Sequence, residues 1–128
     1  MNIEMLSNPS ELKDTRSKIE EFCKSNLPNI ELASITLAID EALQNIIRYA
    51  YDFDKTKKIL INLNKISDNN LRVELRDFGK RVSTSEIKPR ELNDIRPGGL
   101  GIHFIKNIAK KISYEHKEDG GTLLTLEF

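Results

Sequence analysis

Between residues 30 and 51, Ile35, Leu37, Ala38, Ile39, Ala42, Leu43, Ile46 and Ile47 recur three and four positions apart. This is the period of a helix with one broad buried face, and it predicts a helix from about Ile30 to Tyr49 or Tyr51. Glu41, Asn45 and Arg48 then stand at i, i+4 and i+7 and point the same way. An asparagine amide competes with helical backbone hydrogen bonds, so Asn45, one turn after a carboxylate, needs a reason. It belongs either to a solvated polar face or to a ligand site.

The other elements read off in the same way. Met1–Leu6 is short and mostly apolar, as an edge strand would be. Asn8-Pro9-Ser10-Glu11 has the residues of a helix start, with Asn8 as N-cap, Pro9 first in the helix and Glu11 in the first turn; the helix should run to about Ser25. Leu12, Ile19, Phe22 and Cys23 form its buried stripe. Residues 26–29 (Asn-Leu-Pro-Asn) break it. Lys57–Asn64 and Asn70–Asp77 alternate apolar and polar, which predicts two strands joined by a tight turn at Ser67–Asn70. Periodicity is lost from Phe78 to Pro97, a stretch long enough to be functional or disordered. Gly98-Gly99-Leu100-Gly101 ends that stretch and precedes a helical pattern of Ile102, Ile105, Ile108, Ala109 and Ile112. Two final strands follow, Ile112–Lys117 and Thr122–Phe128, with Asp119-Gly120-Gly121 as the turn. The fold class is α+β, a two-layer sandwich of antiparallel or mixed, mostly antiparallel sheet with helices on one face.

Composition narrows the function classes. At 128 residues the chain is expected to form one domain, and 38% hydrophobic with 31% charged residues is ordinary for a globular protein. Twenty basic residues balance twenty acidic ones, which disfavours binding to a nucleic-acid backbone. No apolar run is long enough to span a bilayer, and the N-terminus does not resemble a signal peptide. The single Cys23 cannot pair internally, which fits a cytoplasmic location, and its stripe makes it a packed core thiol.

Three clusters carry candidate chemistry. Glu41 and Asn45 are the first. The second is Asp77-Phe78-Gly79 at a strand end, where a carboxylate can accept from the exocyclic amine of a purine and a glycine permits close approach; alone it is no more than a turn. The third is the glycine turn opening a helix, which can present free amides to phosphate or serve merely as a cap. Arg48, Arg96 and Lys106 could touch phosphate, but a solvated charge is the plainer reading of each. His103 and His116 lack the companions of a zinc site.

In order and spacing, the Glu41-x-x-x-Asn45 helix, the strand ending Asp77-x-Gly79, the variable stretch, Gly99-x-Gly101 opening a helix, and Gly121-Thr122 before the last strand resemble the GHKL (Bergerat-fold) ATP-binding superfamily. Within it the likeness is to the small anti-sigma factor serine/threonine kinases of the RsbW and SpoIIAB type, and it covers about Glu31 to Phe128. The resemblance implies ATP and Mg²⁺ as cofactors. It gives Asn45 the metal, Asp77 the adenine amine with Gly79 beneath the base, and Thr122 the support of Asp77. Gly98, Gly99, Leu100 and Gly101 would close on the phosphates beneath a lid formed by residues 78–97. Glu41 takes the position that orients or deprotonates the attacking serine hydroxyl.

The implied protein partners are a STAS-type anti-sigma factor antagonist as substrate and a sigma factor as sequestered target, with homodimerisation expected. Two departures stand out: Lys80-Arg81 replaces the family's frequent second glycine, and Tyr49 replaces the usual histidine. The competing functions are a nucleotide-gated protein-binding regulator that transfers phosphate slowly or never, and an interaction domain that binds no nucleotide at all.

Overall fold

The computed structural model describes residues 1–80 and 105–128 in full and residues 101–104 as backbone. In chain order the elements are β1 (Asn2–Leu6), α1 (Leu12–Asn26), α2 (Leu32–Asn45), β2 (Lys58–Ser67), β3 (Asn70–Asp77), α3 (Gly101–Ile108), β4 (Lys111–His116) and β5 (Thr122–Glu127). The strands form one sheet in the order β1-β2-β3-β5-β4. Every neighbouring pair is antiparallel.

Alternation along the strands decides which face the helices cover. Ile3 and Met5 of β1, Ile59, Ile61 and Leu63 of β2, Leu71, Val73 and Leu75 of β3, and Leu124 and Leu126 of β5 are all buried. The residues between them face away from the helices, as a period of two requires. Against the apolar face packs α2, flanked by α1 and α3. Eight of its fourteen residues are buried, so only a narrow strip of α2 meets solvent, including Leu37 and half-buried Glu41. No described helix is long and apolar enough to cross a membrane.

Several boundaries differ from the periodic reading for local reasons. Pro9–Glu11 winds as a 3₁₀ turn and α1 begins only at Leu12. Asn8 caps that turn by accepting from the Ser10 amide at 3.1 Å, whereas Glu11 accepts from the Leu6 amide and so fastens β1 to the turn. Strand β2 extends to Ser67, through an irregularity between Lys65 and Ser67. The largest difference follows Asn45, where residues Ile46–Ala50 widen into a π-helical turn. It is closed by the amides of Tyr51 and Phe53, which donate to Ile46 and Ile47 carbonyls at 3.1 and 2.8 Å. Asp52 and Phe53 then take left-handed φ of 48° and 64° to end it. Arg48 lies within this turn, so the straight α spacing that aligned it with Glu41 and Asn45 does not apply.

Candidate functional site

One cleft brings together Asn45, Asp77 and Thr122. It holds about 470 Å³ of space, open solvent at its mouth included. The end of α2 and the π turn form one wall through Ala42, Asn45, Ile46, Tyr49 and Ala50. Asp77 and Lys80 from the β3 exit, Tyr114, Thr122 and Leu124 from the last two strands, and Ile105 of α3 complete it. The lining is therefore apolar with a few convergent polar groups.

Asn45 is buried, and its Oδ1 has no hydrogen-bond partner among the described residues. Buried carbonyl oxygens are nearly always satisfied, so an orphan facing a cleft marks a place for a ligand. No group of three or more His, Cys, Asp or Glu residues able to hold a metal occurs among the described residues. A single neutral oxygen of this kind fits Mg²⁺, which keeps most of its coordination for phosphates and water.

Asp77 is anchored by its surroundings. It ends β3 opposite Thr122 of β5, and its Oδ1 accepts from the Gly79 amide at 3.0 Å. Burial raises its carboxyl above the ordinary range, and the Gly79 amide, Arg76, the Thr122 amide and His116 offset part of that rise. Thr122 thus supports Asp77 through its backbone, while its hydroxyl lies 3.2 Å from His116 Nδ1. The Arg76 guanidinium donates to the Asp77 and Gly120 carbonyls at 2.6 and 3.0 Å and pairs with Asp119 at 2.7 Å. Tyr51 donates to the Lys58 carbonyl at 2.5 Å and accepts from the Phe78 amide at 2.7 Å. The peptide unit after Asp77 is thus held at its carbonyl by Arg76 and at its amide by Tyr51.

Two glycines make this packing possible. A Cβ on Gly79 would lie 2.2 Å from the Ala50 carbonyl oxygen, and the same carbonyl accepts from the Lys80 amide at 3.0 Å. Gly79 thus lets the β3 exit pass against the π turn, and it does not line the cleft. Gly121 has φ +78°, and a Cβ there would lie 2.0 Å from the Asp77 carbonyl oxygen.

Glu41 is half-buried on the solvent strip of α2, one turn before Asn45. Burial raises its carboxyl, the neighbouring Asp40 adds to that rise, and Arg48 opposes it. Asp40 itself is buried, bound by Arg16 at 2.8 Å and by the Gln44 amide at 2.7 Å. Gly101 opens α3; Gly98, Gly99, Leu100, Arg96 and the lid stretch from residue 81 onward lie outside the described residues. Lys106 is exposed, and the Arg48 guanidinium sits 5.9 Å from the Tyr49 ring centroid.

Sequence reasoning missed Asp40, Tyr114 and the clearance role of Gly121. Asp40 carries no signal beyond its polarity, and Tyr114 reads as one more apolar strand position. Only the partners across α1, β3 and β5 reveal them.

A family model described as the histidine kinase-like ATPase domain matches residues 5–128. The serine/threonine-protein kinase BtrW of Bordetella bronchiseptica is 30% identical over 97 residues, covering 73% of this chain and 67% of that protein. The anti-sigma F factor of Clostridium perfringens is 23% identical over 132 aligned positions, covering 99% and 94%. Among solved structures, the SiaB–SiaC complex from Pseudomonas aeruginosa contains a chain of the same fold, with a TM-score of 0.74 at 14% identity over 100% of this chain and 88% of that one.

Proposed function

The chain belongs to the histidine kinase-like ATPase domain family, and from that premise we propose that it is an ATP-dependent protein serine/threonine kinase of the anti-sigma factor type. Its substrate is then a STAS-type antagonist protein, and its second partner a sigma factor. The observation that carries this reading is the buried, unpartnered Asn45 Oδ1 in the same cleft as Asp77, with a half-buried carboxylate, Glu41, one turn earlier.

When bound, Mg²⁺ and ATP supply an activated γ-phosphoryl group. Asn45 Oδ1 would hold the ion. Asp77 accepts a hydrogen bond from the exocyclic amine of adenine, and the apolar walls bury the base. Glu41 takes the proton of a serine or threonine hydroxyl as that oxygen bonds to phosphorus and the bond to the departing ADP oxygen breaks. Its raised proton affinity makes it a stronger base than an exposed carboxylate. By resemblance, Gly98, Gly99, Leu100 and Gly101 close on the phosphates.

Calorimetric titration of nucleotide-free protein with ATP and ADP, with and without Mg²⁺, tests the site. Binding should weaken without the metal and in Asn45→Ala, and absence of any binding refutes the reading. With an antagonist protein added, Glu41→Gln should keep ATP binding and lose about 10²- to 10⁴-fold in transfer rate. ATP binding with no transfer by the unaltered protein would instead indicate the nucleotide-gated regulator.

A further inference from the structure

Tyr114 stands opposite Leu124 in the β4–β5 register and lines the cleft beside Leu124 and Ile105. Its neighbours Ser113 and Glu115 face solvent. Tyr114 is half-buried, and its hydroxyl makes no hydrogen bond to any described residue, which leaves the phenol open to a ligand in the cleft.

We propose that Tyr114 is a second reader of the nucleotide base, its phenol donating a hydrogen bond to a ring nitrogen of the purine whose exocyclic amine Asp77 accepts. This rests on the reading of the cleft as an ATP site. The chemistry of the two side chains is complementary to adenine. An ionised carboxylate only accepts, so Asp77 satisfies the amine and leaves the ring nitrogens, which are acceptors, without a donor. The phenol supplies one. Burial pushes its pKa up to about 12, so it keeps its proton throughout the physiological range. A donor at this place favours bases that carry the matching acceptor.

The test is calorimetry of the full chain and of Tyr114→Phe with ATP and with its 1-deaza, 3-deaza and 7-deaza analogues. Tyr114→Phe should bind ATP about 3- to 10-fold more weakly and unfold at about the same temperature, because the hydroxyl it loses bonds to no described residue. One analogue, the one missing the paired nitrogen, should bind both proteins equally. Equal ATP affinity of the two proteins, or the same loss for all three analogues, overturns the assignment and leaves the ATP reading standing. If the unaltered protein binds no ATP, both fall together.

Discussion

Gly120 and Gly121 are adjacent, and both have positive φ, yet substituting each by alanine should have different consequences. At Gly120, with φ +101°, nothing lies within 4 Å of an added Cβ, so Gly120→Ala costs only backbone strain, about 1–2 kcal/mol. At Gly121, φ is +78° and the Cβ would meet the Asp77 carbonyl oxygen at 2.0 Å and Phe78 Cα at 2.6 Å. Both are backbone atoms, which cannot rotate aside. Arg76 bridges the Asp77 and Gly120 carbonyls, so the two segments cannot separate without breaking that bridge. Overpacking adds about 1–3 kcal/mol, and the total for Gly121→Ala is about 2–5 kcal/mol. Because the clash falls on Asp77, the damage should also reach ligand binding. Losing a charge-assisted hydrogen bond to the base weakens ATP by about 10- to 100-fold. Urea denaturation gives the first quantity and calorimetric titration with ATP the second. If the two variants are equally stable, or if Gly121→Ala binds ATP as Gly120→Ala does, Gly121 does not position Asp77.

Asp77→Asn should lose ATP binding without losing stability. Burial raises the Asp77 carboxyl, so its contribution to stability is complete below the unfolded value and is lost as the pH rises through the folded one. At neutral pH the variant should be at least as stable as the parent in urea, with the gap closing towards about pH 4; a parent more stable than the variant at neutral pH contradicts this. Arg16→Met removes one of two partners from buried Asp40 and should cost about 1–3 kcal/mol, discounted because the arginine is half-exposed; adding Asp40→Asn should recover most of it. Cys23 is fully buried and burial pushes its thiol to about 11, so a thiol reagent near neutral pH should label it only at the rate of unfolding. Faster labelling would show that α1 opens locally.

Much of the architecture was legible because period and burial coincide. Strands β2 and β3 bury one face only, so a period of two appears in Ile59, Ile61 and Leu63 and again in Leu71, Val73 and Leu75. The turn at Asp119–Gly121 was legible because left-handed backbone demands glycine. Asn45 stood out as an asparagine inside a helix, and the order of Glu41, Asn45 and Asp77 along the chain carried the family resemblance.

Spatial neighbours decided the rest. Nothing in Ile46–Ala50 distinguishes a π turn from an α turn, since both present apolar residues at similar spacing; what accompanies the wider turn is the Ala50 carbonyl meeting Lys80, across 30 residues of chain. Gly79 reads as ligand clearance in the sequence, but its neighbour in the structure is that same carbonyl. Asp40 looks like one more surface acid until Arg16 of α1 is placed beside it. Local periodicity reports how much of a residue is buried, whereas the identity of what buries it is set by contacts between distant segments, and those exist only once the chain has folded.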